Sequence, residues 1–259
     1  MFCMLNHFAS FYIVLIPVVI FVLPVLIGIV FQLLCWIFLL IASFFFSMKK
    51  DYQKPSAFSR WLLNFGYRLV CSGGRLVIHF DGKELFPKGR RFLFISNHRS
   101  RFDHMVECLA MDDEYMAFVS KEENFRILLA RRLMKRNCYI SLKRGDGRSA
   151  FEMIRKSIAF IKNGVLSIGI FPEGKRSLDG KLLPFKPGVF KIAEKAECPI
   201  VVGAIKGTDL VCKNWPWKRT PVHFEILKVY EPCEFKDRNT NDLSDEIENL
   251  LRKSLESQF

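Results

Sequence analysis

Forty-one consecutive residues, from Phe8 to Met48, carry no charged side chain. A bilayer core of roughly 30 Å is crossed by about 20 helical residues, so the run is long enough for two short crossings. Pro17, Pro24 and Gly28 fall near its middle. They predict a break and two helices, about 8–25 and 29–48, forming a membrane-embedded hairpin. No Lys or Arg precedes the run and no small-residue cleavage site follows it, so it does not read as a cleaved signal. Lys49, Lys50, Lys54 and Arg60 come directly after it. By the positive-inside rule they hold the remaining chain on the cytoplasmic side. The expectation is an integral membrane protein whose folded domain faces the cytosol.

All 39 basic and 26 acidic residues lie from Lys49 onward, so the net charge of +13 belongs to that domain alone. Its aliphatic and aromatic content supports a sizeable core and excludes a disordered chain. One long apolar stretch excludes a polytopic transporter. A charge of this size suits nucleic acid or an anionic membrane surface. Without a zinc finger, an RNP motif or a basic zipper, and beside a membrane segment, the membrane surface is the expected partner and nucleic acid is not. The eight cysteines are widely and irregularly spaced, which suggests reduced thiols rather than zinc ligands or a disulfide framework.

The chain divides into a membrane hairpin (1–48), a neck (49–74) and a folded domain (75–259). Short apolar, often β-branched or aromatic runs predict strands at Arg75–Phe80, Phe92–Ser96, Tyr115–Val119, Tyr139–Leu142, Val165–Phe171, Ile200–Ile205 and Val222–Val229. Helical patterns at 148–163, 187–196 and 244–256 lie between and after them, the last with Asp242 or Ser244 as its cap. This alternation predicts an α/β fold, a central mostly parallel or mixed sheet flanked by helices. Glu122–Arg136 mixes five cations with apolar residues, a composition that fits either a membrane-interface helix or an ordinary surface helix.

Two strand ends carry candidate chemistry. Phe92–Ser96 runs into Asn97 and His98, with Asp103 five residues further on. Five residues along one helix is about 140° off-face. The two groups can therefore meet only with His98 on the strand-to-helix turn and Asp103 in the first helical turn, where the carboxylate would fix the imidazole tautomer. The competing reading is that Ser100-x-x-Asp103 is a capping box, and His104 reads as a surface residue. The second strand end is Phe171-Pro-Glu173-Gly174-Lys175-Arg176-Ser177, where glycine admits close backbone approach and the cations suit a phosphate. Cys138–Leu142 also ends in cations, Lys143 and Arg144, and Cys198–Ile205 is a Pro-led apolar strand.

In this order the four segments resemble the glycerolipid acyltransferase superfamily, most of all its 1-acylglycerol-3-phosphate (lysophosphatidic acid) acyltransferase branch. Asn97-His98-x-x-x-x-Asp103 is similar to the family's N-H-x-x-x-x-D, and Phe171–Ser177 to its F-P-E-G-T-R-S block. Arg144 falls where the block G-x-x-F-I-x-R ends, and Pro199-Ile-Val looks like the fourth block. The resemblance covers about residues 75–205. Cys138, Ser141 and Lys175 depart from the usual Gly, Phe and Thr.

The resemblance implies a membrane-bound O-acyltransferase of phospholipid synthesis. His98, aided by Asp103, would take the proton from the sn-2 hydroxyl of lysophosphatidic acid, and that oxygen would attack an acyl thioester carried by coenzyme A or acyl-carrier protein. Arg144, Lys175 and Arg176 would pair with the acceptor phosphate beside Gly174, and Glu173 would bond the glycerol or order the cations. It implies no resident cofactor and no metal. Acceptors such as another lysolipid or glycerol 3-phosphate stay open, as does a non-catalytic protein binding anionic lipid. Lys213-Asn-Trp215-Pro-Trp217-Lys-Arg219 mixes indoles and cations in the manner of an interfacial anchor or a structural loop.

Overall fold

The computed structural model describes residues 18–177 and 180–256, in two units, Met1–Phe45 and Phe46–Phe259. In the first, a π-helical turn, Val18–Val22, passes into helix α1, Leu23–Phe44. Among the described residues it is the one helix long and apolar enough to cross a membrane. The break expected at Pro24 and Gly28 is not there, and the chain stays helical through both. Pro24 sits in the first turn of α1, where an absent N–H costs no hydrogen bond, and the wider π turn before it makes room for the ring. The first arm of the expected hairpin falls largely outside the described residues.

The second unit is built on one sheet of seven strands: β1 (Leu76–Asp81), β2 (Leu93–Ser96), β3 (Met116–Lys121), β4 (Ile140–Leu142), β5 (Ser167–Ile170), β6 (Ile200–Lys206) and β7 (Thr220–Tyr230). Their order is β1-β7-β6-β2-β5-β3-β4. Strands β6, β2, β5, β3 and β4 run parallel, β1 pairs parallel with β7, and among the described residues the only antiparallel pairing is β6 with β7. Every residue of β2 and β5 is buried, as is β6 up to its last residue. Continuous apolar strands of this kind need helices over both faces of the sheet.

Helix α2 (Ala57–Gly73) precedes β1. It is followed by α3 (Asp103–Ala110), α4 (Leu128–Arg136), α5 (Gly147–Lys162), α6 (Lys191–Ala196), a single turn α7 (Val211–Asn214) and α8 (Thr240–Glu256). The segment expected as a neck thus contains α2, capped by a reciprocal box in which Ser56 Oγ accepts Ser59 N–H and Ser59 Oγ accepts Ser56 N–H. Its outer face is aromatic rather than charged, which hid the amphipathic contrast that marks a helix in sequence. Helix α8 begins four residues before the expected start, and its cap is Asn239, whose Oδ1 accepts Asn241 N–H at 2.9 Å. The stretch 122–136 splits into a 3₁₀ turn, Glu122–Arg126, and α4. Cations of α4 are engaged by backbone: Arg132 donates to Phe46 O at 2.7 Å, Arg136 to Lys54 O at 2.8 Å, and Lys135 to Met48 O.

Winding decides where a ligand can sit. The crossovers β2-α3-β3 and β3-α4-β4 step along the sheet one way, while β4-α5-β5 and β5-α6-β6 step back. Right-handed crossovers then put α3 and α4 on one face and α5 and α6 on the other. Adjacent strands β2 and β5 therefore send their carboxyl-end loops to opposite faces, which opens a crevice between them at a topological switch point.

Candidate active site

Both motif-bearing strand ends meet at that crevice, since β2 leads into Asn97–Asp103 and β5 into Phe171–Ser177. Asn97 is buried and acts as an extension of the sheet, donating to Ile205 O at 2.9 Å and accepting Ile205 N–H at 2.8 Å. That bond pair pins the turn on which His98 sits. Asp103 opens α3, and its Oδ2 lies 2.8 Å from His98 Nδ1. The same oxygen accepts the N–H groups of Arg99 and Ser100, each at 2.7 Å. Ser100 Oγ accepts Phe102 N–H at 3.4 Å rather than Asp103 N–H, and the N-cap of α3 is Phe102 with no side-chain cap bond, so the segment is not a capping box. Its other oxygen accepts the hydroxyl of Thr208, which arrives from the end of β6.

Asp103 is 0% exposed. A buried carboxylate needs its lone pairs filled, and four donors fill them. With Nδ1–H held by Asp103, the proton-accepting nitrogen of neutral His98 is Nε2, and no described residue is bonded to it. The imidazole is stacked on Phe171, with centroids 4.1 Å apart at 10°, and Phe171 stacks in turn on Phe118 at 5.5 Å. His98 is thus held by a hydrogen bond at one edge and by a ring across its face.

Glu173 is only 4% exposed. Its Oε1 accepts His98 N–H at 2.6 Å, and its Oε2 accepts Leu183 N–H at 2.9 Å. Both oxygens are therefore taken by backbone, and the side chain clamps the β2 turn to the loop after β5. Ser177 N–H donates to His98 O at 2.9 Å and closes the same junction. Burial pushes the Glu173 carboxyl up to about 7, with the two backbone donors pulling the other way.

Lys175 and Arg176 are exposed at the mouth of the crevice. Gly174 has φ +69°, and the end of the Lys186 side chain lies 2.9 Å from where its Cβ would be. A side chain at 174 would be strained and would displace that lysine, so Lys186 is a third cation here that the sequence motif did not single out. Arg144 lies at the same end of the sheet but follows β4, three strands from β2, or about 14 Å at ordinary strand spacing. Its side chain is exposed.

His104 is half-buried rather than fully at the surface. It packs edge-on to Tyr67 at 5.5 Å and against Phe118 at 6.1 Å, and burial, with His98 beside it, lowers its pKa to about 4. It is a neutral packing group. Glu107, one turn after Asp103, is 0% exposed and accepts Ser96 Oγ–H at 2.6 Å, while its Oε2 has no partner. Burial, with the Asp103 charge beside it, raises this carboxyl well above its usual value, while the Ser96 hydroxyl pulls the other way. Thr208 and Glu107 lie in ordinary sequence surroundings, and only the converging strand ends reveal them. Among the described residues, no cluster of His, Cys, Asp or Glu converges as a metal site.

A chloroplastic 1-acyl-sn-glycerol-3-phosphate acyltransferase of Brassica napus is 37% identical over 119 residues, 46% of this chain and 34% of that protein. The 1-acyl-sn-glycerol-3-phosphate acyltransferase of Limnanthes douglasii is 28% identical over 68% of this chain and 64% of its own length. The chain thus spans less than two thirds of these curated relatives. The crystal structure of the 1-acyl-sn-glycerophosphate (LPA) acyltransferase PlsC from Thermotoga maritima superposes with a TM-score of 0.63 at 26% identity, covering 89% of this chain and 91% of that one. The family description Acyltransferase matches residues 77–206, from β1 to the end of β6, which takes in every group around the crevice except Thr208. The chain belongs to the Acyltransferase family, among relatives named for acyl transfer to 1-acylglycerol 3-phosphate.

Proposed function

We propose that the protein moves a fatty acyl group from an acyl thioester to the sn-2 hydroxyl of lysophosphatidic acid, giving phosphatidic acid at a membrane surface. The observation that carries this reading is the oriented imidazole: His98 Nδ1 on the fully buried Asp103, Nε2 left for a substrate proton, and exposed cations beside it. The plant relatives and the Thermotoga maritima enzyme, by their names, use this class of acceptor.

In this mechanism the acceptor hydroxyl donates its proton to His98 Nε2 as its oxygen attacks the thioester carbonyl. Asp103 stabilises the imidazolium that forms. The tetrahedral adduct collapses with cleavage of the C–S bond, and His98 returns the proton to the departing thiolate. The new ester and the free thiol balance the reaction, and no acyl-enzyme is formed. Lys175, Arg176 and Lys186 neutralise the acceptor phosphate, and Arg144 serves a more distant anionic group, on the acceptor or on the donor carrier. Glu173 holds the His98 turn rather than the glycerol. The donor is acyl-coenzyme A or acyl-carrier protein. The apolar α1 and the +13 charge fit a domain working on the cytoplasmic leaflet.

The test is conversion of radiolabelled lysophosphatidic acid to phosphatidic acid by membranes carrying wild type or His98→Ala, with each donor in turn. Loss of at least about 10²-fold in the variant at equal expression is expected for a general base. Activity that survives the substitution refutes the mechanism, and silence of the wild type with both donors refutes the reaction.

A further inference from the structure

Helix α3 carries two acids one turn apart, and the reaction proposed above uses only the first. Asp103 and Glu107 lie about 40° apart around the helix and about 6 Å apart along it. Both are fully buried. Glu107 Oε1 accepts the hydroxyl of Ser96 at 2.6 Å, and Ser96, fully buried as well, is the last residue of β2. Strand and helix are therefore joined twice, His98 to Asp103 at the crevice and Ser96 to Glu107 one level below it. Two residues of extended chain rise about 6.6 Å, close to the helical rise between the two acids, so the links lie side by side like rungs. Among the described residues, the Ser96 bond is the one side-chain hydrogen bond between α3 and the strand β2 itself.

We propose that Glu107 is a positioning residue: by holding Ser96 it fixes the tilt of α3 against β2 and so keeps Asp103 in line with His98 Nδ1. One link alone would leave the helix free to pivot about it. A tilt of about 10° around the lower link would carry Asp103 about 1 Å along the imidazole edge. A displacement of that size at a reacting pair can lower the rate about 10²-fold. The other ties on Asp103 do not supply this control. The N–H groups of Arg99 and Ser100 belong to the turn itself, and Thr208 comes from beyond β6. None of them reaches β2 below the turn. Packing does not account for the acid either. Its Oε2 is buried with no partner among the described residues, and an unfilled buried carboxyl oxygen is unfavourable, so an apolar side chain would fill the same space better. What the carboxyl adds is its grip on Ser96.

A kinetic readout of this role rests on the reaction proposed above, whereas a spectroscopic one does not read activity, so failure of the role is distinguishable from failure of the reaction. Ser96→Ala, Glu107→Leu and Glu107→Gln are made in the full chain, purified in mixed micelles. The first two remove the bond from either side, and Gln keeps an oxygen to accept the Ser96 hydroxyl. kcat and acceptor KM are measured with lysophosphatidic acid. The His98 Nδ1–H proton, identified by its loss in His98→Ala, is followed by NMR of isotope-labelled histidine. Ser96→Ala and Glu107→Leu are expected to lower kcat by about 10- to 10²-fold with acceptor KM unchanged, and to move the Nδ1–H resonance upfield as its bond to Asp103 loosens. Glu107→Gln is expected to keep both near wild type. Ser96→Ala deletes a single hydroxyl and decides the matter if Glu107→Leu does not fold. An unmoved resonance in Ser96→Ala overturns the proposal, as does an unchanged kcat where the wild type is active. So does a loss in Glu107→Gln equal to that in Glu107→Leu, which would assign the role to the charge of Glu107 and not to its bond.

Discussion

Replacing Glu173 by Gln asks whether this carboxylate touches substrate or holds the protein together. Both of its oxygens accept backbone N–H groups, His98 N at 2.6 Å and Leu183 N at 2.9 Å. Gln keeps the shape but has one accepting atom, so its NH₂ is turned toward one of these donors. Losing a hydrogen bond to a charged acceptor costs about 1.5–3 kcal/mol. If that falls on the geometry of His98 in the transition state, kcat drops by about 10- to 150-fold. The assay is purified protein in mixed micelles, with kcat and acceptor KM measured separately. The clamp predicts a lower kcat with acceptor KM little changed, because no substrate contact is removed. A large rise in acceptor KM with kcat intact would refute it and return Glu173 to the substrate. The pH dependence adds a second readout. The folded carboxyl titrates at about 7, above its ordinary 4.5. The stability it contributes is therefore fully present below 4.5 and lost as pH rises through about 7. The ionised form accepts both N–H bonds more strongly than the acid does, so wild-type kcat should fall on the acid side of about 7. Glu173→Gln should lack both trends.

Thr208→Val removes the hydroxyl from Asp103 and leaves a buried carboxylate oxygen short of a donor, so kcat should fall by roughly tenfold. Thr208→Ser should restore it, and a loss of stability without that rescue would argue for packing alone. Glu107→Gln should be nearly neutral at mildly acid pH, within about 1 kcal/mol in urea unfolding, because burial favours the uncharged form of the wild-type group. Its pKa is raised in the fold, so wild-type stability should decline as pH climbs toward that value while the variant stays flat. Equal pH dependence in both proteins would contradict a raised pKa at Glu107. Gly207 has φ +90°, and a Cβ there would lie 2.3 Å from Pro221 O. Gly207→Ala should cost at least about 1–3 kcal/mol by thermal unfolding and, by displacing Thr208, should lower kcat as well.

What the sequence determined by itself was local. All seven expected strands form within a few residues of their expected ends, since buried parallel strands are short apolar runs closed by Gly, Pro or charge. The pairing of His98 with Asp103 was legible because five residues bridge a strand end and the first turn of a helix. The cation-bearing loop after β5 was legible from its glycine and its charges. Helix α2 was not, because aromatic rings on its outer face erased the contrast between its two sides. The tertiary structure alone decided the rest. Strand order placed β5 beside β2, although 74 residues separate the ends of their strands, and so put Glu173 against the backbone N–H groups of His98 and Leu183. It brought Thr208 to Asp103 across 105 residues and left Arg144 three strands away. The physical reason is common to all of these. Periodicity and turn chemistry act over a few residues and are written in the chain, whereas which strand neighbours which depends on the burial of whole faces and the hand of the crossovers.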